Sequence, residues 1–374
     1  MSSTKIHAEI AGVWLPNKGA ELMAITAISE LRARLPGITF CSPRQGPDAA
    51  RAALGMDAFT LRENTFWHRA KQAFPKLAEP RAFRAERPGV THVIDASGFA
   101  YGDAWGPRKA RKRAHAYIES GLPTYLLPQA FGPFEDTKLR KHMKSIVLGA
   151  RKISARDEQS LKHLNGLETG RDIPLIPDIT LGLSASDRNV PTPDTPFAAV
   201  VVNAMLLKSG ALDAQALTTL YKNVLERIAA SGVTPKIVLH EPQADLELSS
   251  SLAKASGTEL IALDHPLDIK AYIANAKLVV TARFHGLANG LSSGVPSFAI
   301  GWSHKYAELL EQFGTPDMLY QGDHDAFLAA IDTHLASEAK QAETRATLLD
   351  RKAVFARKLT AYWDDLAEDM LRQR

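Results

Sequence analysis

One cysteine, Cys41, is all the thiol chemistry that the 374 residues hold. An internal disulfide is therefore impossible, and a secreted, disulfide-stapled scaffold is excluded. Long hydrophobic runs are also missing. The longest apolar stretches, such as residues 197–202, are strand-sized, against the ~20 residues a membrane helix needs. Neither sign of charge dominates: 45 Lys and Arg face 41 Asp and Glu, a formal net charge of +4. That balance does not demand a nucleic-acid partner. The opening MSSTKIHAEIAGVWLPNKGAE lacks the form of a signal peptide, because its apolar stretch is short and broken at Pro16, Asn17 and Lys18. No HExxH pair, cysteine cluster or nucleophile elbow occurs, and the 12 histidines are scattered. These absences lead us to expect a cytoplasmic protein that takes no metal and no nucleic acid. Peripheral contact at the inner face of a membrane stays open.

What is present is a repeated alternation of strand and helix. Strands are expected at residues 6–15, 90–96, 124–127, 153–155 and 175–176, with helices after the first turn and at 104–120, 134–148 and 157–165. Residues 184–196 then carry Pro191, Pro193 and Pro196 with few apolar side chains, a linker composition. After them the alternation restarts, with strands at 197–203, 236–240, 260–263, 277–281 and 297–300. The expected fold is α/β: two doubly wound Rossmann-like domains, with a long C-terminal helix. The expected boundaries are 1–185 for the first domain, 186–196 for a linker, 197–335 for the second domain and 336–374 for the helix. In that helix Ala342, Ala346, Leu349, Ala353, Ala356, Leu359, Trp363, Leu366 and Met370 share one face. It either packs back on the first domain or caps its own.

In doubly wound sheets ligands bind beyond the carboxyl ends of the strands, so the residues just after each strand carry the chemistry. Thr281-Ala282-Arg283-Phe284-His285-Gly286 leaves a strand and opens a helix rich in small residues. A helix N-terminus favours an anion; Arg283 offers a bidentate fork and His285 a proton near neutral pH. Lys305 follows the next strand, so Arg283, His285 and Lys305 can converge. Arg156 follows another strand, with Asp157 as a helix cap and Ser160 in the first turn. Asp178 follows Pro177 near the linker, and Asn17 and Gly19 form a strand-to-helix turn that is neither a Walker loop nor GxGxxG. Blander roles exist for each: Arg156 in a salt bridge, Arg283 holding its loop, Lys305 on the surface, Asp178 as a cap.

Two basic segments remain. Arg108 to Arg113 is the densest basic run, and a solvated helix face is the leading reading, with anionic lipid or glycan as the sharper alternative. Residues 62–87 interleave Arg and Lys with Phe66, Trp67, Phe74 and Phe83, as a mobile lid or a packed insertion would.

Together the motifs resemble the polysaccharide pyruvyl transferase family. The resemblance runs through Asn17-x-Gly19-Ala20-Glu21, residues 92–98, Gln129-Ala130-Phe131-Gly132-Pro133, Arg156-Asp157-x-x-Ser160, Pro177-Asp178, Arg283-Phe284-His285-Gly286, Gly294-Val295-Pro296 and Lys305. It departs where Ala96-Ser97-Gly98 replaces three glycines and Ala20-Glu21 replaces Gly-Asp. The resemblance implies a GT-B-like fold and transfer of the enolpyruvyl unit of phosphoenolpyruvate onto sugar hydroxyls as a ketal, in cell-surface polysaccharide synthesis. It implies donor contacts from Arg156, His285 and Lys305, a free or lipid-linked saccharide as acceptor on the first-domain side, and no cofactor beyond phosphoenolpyruvate. A nucleotide-sugar glycosyltransferase and a non-catalytic sugar- or anion-binding homologue are the alternatives.

Overall fold

A computed structural model of the chain describes residues 5–15, 17–43, 47–59, 89–301 and 303–373. The lid-like segment 62–87 lies outside the described residues. The chain forms two compact units: Met1–Asp178 with Thr360–Arg374, and Ile179–Leu359.

The first unit is built on a parallel sheet. β1 (His7–Ala11), β2 (Thr39–Pro43), β3 (Met56–Phe59), β4 (His92–Asp95), β5 (Phe99–Tyr101), β6 (Thr124–Phe131) and β7 (Lys152–Ala155) lie in the order β3-β2-β1-β4-β6-β5, with β7 also pairing β6. β1 and β6 are buried along almost their whole length, as strands covered on both faces must be. Helix Lys18–Arg34 follows β1 and is capped by Asn17, whose Oδ1 accepts from Ala20 N at 3.0 Å. Helix Thr137–Gly149 turns Leu139, Met143, Ile146 and Val147 onto the sheet at helical spacing.

The second unit has its own parallel sheet. β8 (Phe197–Val201), β9 (Thr234–Leu239), β10 (Glu259–Ala262), β11 (Leu278–Thr281) and β12 (Ser297–Ala299) lie in the order β10-β9-β8-β11-β12. Apolar side chains of β8 and β11 meet helix Pro266–Ala274 through Ile269, Tyr272 and Ile273. Both sheets are doubly wound, and the fold is the α/β, GT-B-like class expected from the strand and helix alternation.

The chain passes between the units at Asp178/Ile179 and returns at Leu359/Thr360. Residues 186–196, expected as a linker, lie inside the second unit. Val190 packs on its core, and Arg188 pairs with Asp268 at 2.6 Å. Helix Glu338–Arg372 is single and long, and its last turns belong to the first unit. There Trp363, Leu366 and Met370 are buried, and Asp369 accepts from Tyr125 Oη at 2.8 Å and from Arg151 Nη2 at 2.8 Å. In the helix's earlier half the buried positions are Leu348 and Phe355, while Leu349, Ala353 and Ala356 face solvent. The stripe read from the sequence is displaced there because Phe355 packs edge-on against Phe313, with ring centroids 5.1 Å apart. Among the described residues no helix is long and apolar enough to cross a membrane.

Candidate functional site

In each sheet the strand order reverses beside the first strand, between β1 and β4 and between β8 and β11. Such switch points leave a crevice at the strand carboxyl ends.

In the second unit the crevice is bordered by the turn from β11 into helix Phe284–Ser292. Arg283 is the N-cap residue, and its backbone N–H donates to Thr281 Oγ1 at 3.0 Å. A Cβ on Gly286 would stand 2.5 Å from that same Oγ1, so only glycine lets the helix start against the strand end. The carbonyl of Ala282 accepts from Asn203 Nδ2 at 2.8 Å and from Tyr306 Oη at 2.7 Å. Arg283 turns toward helix Pro242–Ser256. Its Nε and Nη2 grip Asp245, at 2.7 and 2.6 Å. Asp245 is fully buried and also accepts from Ala204 N at 3.0 Å, tying the ends of β8 and β11 together. Burial, and then the Asp245 charge, push the neighbouring Tyr221 phenol up, so it stays protonated.

His285 and Lys305 share a neighbour. Both lie against the Phe284 ring. The His285 ring meets it edge-on at 5.3 Å between centroids, and Lys305 Nζ stands 5.6 Å from its centroid. Helix His304–Phe313 presents Lys305 one residue from its start. A titratable imidazole and an ammonium thus share one aromatic support at a helix N-terminus, which suits an anion with a transferable proton.

In the first unit Arg156 and Asp178 find each other. Arg156 Nη1 donates to Asp178 Oδ2 at 2.8 Å, and the two side chains are 4% and 2% exposed. Asp178 is therefore the salt-bridge partner of Arg156. Asp157 caps helix Glu158–Asn165 by accepting from Ser160 N at 2.7 Å. Asn17 is a helix cap, and Gly19 lies buried in that helix's first turn. Beside them Lys18 Nζ pairs with Glu21 Oε2 at 3.2 Å, and burial pushes the Glu21 carboxyl up against the opposing pull of Lys18.

The β1/β4 switch point carries a polar cluster that sequence reasoning missed. Asp95 is fully buried at the end of β4 and accepts from Ser97 N at 3.0 Å, from Ser97 Oγ and from Tyr101 Oη. Arg113 Nη1 donates to Ser97 Oγ at 3.1 Å, and Tyr117 Oη donates to Glu9 Oε1 at 3.0 Å. A Cβ on Gly12 would stand 1.9 Å from Ser97 Oγ, so the close approach requires glycine. Burial, and then Arg113, pull the Lys109 ammonium down to about 8, while Asp95 opposes them. The basic run is thus not one solvated face. Arg108, Arg111 and Lys112 are exposed, whereas Lys109 and Arg113 turn inward. The spacing of four between Lys109 and Arg113 was the available signal, as was the lone acid in His-Val-Ile-Asp. Among the described residues no group of three His, Cys, Asp or Glu is arranged to hold a metal ion.

A family model described as polysaccharide pyruvyl transferase matches residues 17–304. The chain belongs to the polysaccharide pyruvyl transferase family. As a member of that family it is a transferase, and a saccharide is its acceptor. Solved structures share the fold. A glycosyltransferase from Rickettsia africae is 11% identical with a TM-score of 0.60, covering 99% of this chain and 100% of that one. A UDP-GlcNAc 2-epimerase from Neisseria meningitidis, solved with UDP-GlcNAc, is 9% identical with a TM-score of 0.58, covering 95% of this chain and 99% of that one. A search of curated proteins finds no match.

Proposed function

We propose that this pyruvyl transferase takes phosphoenolpyruvate as donor and forms a pyruvyl ketal on a saccharide destined for the cell surface. The observation that carries the reading is that His285 and Lys305 each lie against Phe284 at the start of helix Phe284–Ser292. Phosphoenolpyruvate carries a phosphate and a carboxylate, and both need cations and N–H donors. The methylene carbon takes a proton, which leaves an oxocarbenium-like carbon. One sugar hydroxyl bonds to that carbon and loses its proton. Phosphate departs with the C–O electron pair, and a second hydroxyl bonds in its place and loses its proton. His285 donates the first proton or binds the phosphate, and Lys305 offsets the donor's negative charge. Arg283 positions this turn through Asp245 rather than touching the donor. Arg156 supports the strand end from its buried pair with Asp178. No cofactor or metal is needed for this chemistry, because the cations and the helix N-terminus supply the electrostatic stabilisation.

The test is incubation with phosphoenolpyruvate and candidate saccharides, following phosphate release and product mass. Acceptor-dependent phosphate release with the mass gain of a pyruvyl ketal is the expected result. Transfer of a hexose from a nucleotide sugar instead would overturn the reading. Donor binding without turnover on any acceptor would point to a binding homologue.

A further inference from the structure

We propose that Lys109 and Arg113 form a subsite for an oxyanion, a phosphate or carboxylate, at the β1/β4 switch point of the first unit. The proposal rests on the pyruvyl-transfer reading in one respect: it takes the anion to be a substituent of the saccharide acceptor and not part of the donor.

The geometry comes from the segment Gly106–Glu119, which is kinked at Arg113. Lys109, Arg113 and Tyr117 all belong to that segment. Tyr117 meets Glu9 in the middle of β1. Arg113 meets Ser97, two residues past the end of β4. Lys109 feels the charges of Arg113 and of Asp95, the last residue of β4, which keeps it near the strand ends, where ligands of doubly wound sheets bind. Its ammonium is held 3.6 Å from the centroid of the Trp105 ring. Trp105 is itself 43% exposed, an apolar surface beside the cation that suits the C–H face of a sugar.

The charges also point to a ligand. Two half-buried cations feel one another's charge, and among the described residues neither is in an ion pair. The nearby carboxylate, Asp95, is already engaged by Ser97 and Tyr101. The Lys109 ammonium is held down by burial and by Arg113, which is the state that an incoming anion reverses. Arg113 keeps donors on its guanidinium beyond the one given to Ser97, and Lys109 adds a point charge, a pair matched to a phosphate or carboxylate. The exposed Arg108, Arg111 and Lys112 lie on the other side of the segment and are not part of this subsite.

Calorimetric titration of the intact protein tests it, with N-acetylglucosamine 1-phosphate against N-acetylglucosamine and galactose 1-phosphate against galactose. In at least one pair the phosphorylated sugar should bind about tenfold or more tightly than the neutral one. Lys109→Gln and Arg113→Gln should each remove most of that advantage while leaving phosphoenolpyruvate affinity unchanged. Among the described residues the Lys109 side chain makes no hydrogen bond, so Lys109→Gln keeps the test valid if Arg113→Gln loses stability through Ser97. Equal binding of phosphorylated and neutral sugars in both pairs would overturn the proposal. So would variants that lose phosphoenolpyruvate but keep the sugar phosphates. Phosphatidylglycerol vesicles form the last arm: loss of vesicle binding in Lys109→Gln with sugar phosphate binding intact would reassign the pair to lipid. A wild-type protein that prefers sugar phosphates but does not bind phosphoenolpyruvate would sink the donor assignment and leave this subsite standing.

Discussion

Arg283 holds Asp245 with two nitrogens on two oxygens, Nε to Oδ2 at 2.7 Å and Nη2 to Oδ1 at 2.6 Å. Asp245 in turn accepts the N–H of Ala204 just past β8. One ion pair therefore sets where helix Phe284–Ser292 begins, and so where His285 stands. Arg283→Ala should leave a buried carboxylate without its partner and destabilise the protein by about 3–5 kcal/mol. Arg283→Lys keeps the charge but loses the fork, so turnover should fall about tenfold or more with a smaller loss of stability. Urea unfolding beside steady-state kinetics checks both. Unchanged turnover in Arg283→Lys would show that the fork does not position the site.

His285→Ala and Lys305→Ala should differ in kind. Each removes a contact worth about 1.5–3 kcal/mol to an anionic substrate, roughly one to two decades. If His285 gives the proton, turnover falls with the donor Michaelis constant nearly kept. Lys305→Ala should chiefly raise that constant. Wild-type kinetics in His285→Ala, at saturating and at limiting donor, would remove it from the site.

Arg156 and Asp178 are both almost wholly buried, which makes Arg156→Ala a stability variant first. The loss should be about 3–5 kcal/mol, read as a lower denaturant midpoint. Arg156→Met combined with Asp178→Leu should recover much of it, because no buried charge is then left alone. If the double variant folds well yet loses activity, the pair is needed for function as well as for the fold. If Arg156→Ala is as stable as wild type, the pair is not the structural element its burial implies.

Lys109 gives a pH signature. Burial and Arg113 bring its folded pKa down to about 8, from 10.5 in the unfolded chain, with Asp95 acting against them. Between those values the unfolded chain binds more protons, so this group's contribution to stability rises with pH from about 8 upward. The Tyr101 phenol nearby is pushed well up by burial and by Asp95, so it stays protonated in that window. Melting of Lys109→Met relative to wild type should therefore be most favourable at pH 7 and least at pH 10. A difference that is flat with pH would show that Lys109 titrates as it does in water.

Much of the fold is legible in the sequence because buried parallel strands are short apolar runs, and residues 90–96, 197–203 and 277–281 each announce one. β2 and β3 are not legible in the same way. Thr39–Pro43 mixes polar residues with Phe40 and Cys41, and Met56–Phe59 has two exposed positions of its four. Helix His304–Phe313 had a usable signal in Tyr306, Leu309, Leu310 and Phe313, but the turn residues before it drew attention to Lys305 alone. The strand-end rule located Arg156, Asp178, Arg283, His285 and Lys305. It could not say which of them bind one another. A buried arginine and a substrate-facing one look alike until their acids, Asp178 and Asp245, are placed beside them. Asp245 sits in the first turn of helix Pro242–Ser256 with no motif around it, so only the tertiary structure pairs it with Arg283.

Helix Glu338–Arg372 has a consequence for how the protein is made. Its closing turns supply Trp363, Leu366, Met370 and the Asp369 carboxylate to a unit whose strands are all encoded before residue 179. During synthesis β1 to β7 leave the ribosome long before the helix that seals them, so the part of their cover that Trp363, Leu366 and Met370 supply comes late. The unit that begins first is the one completed last, and a nascent chain halted at residue 359 would expose the seat of Trp363 to chaperones and proteases.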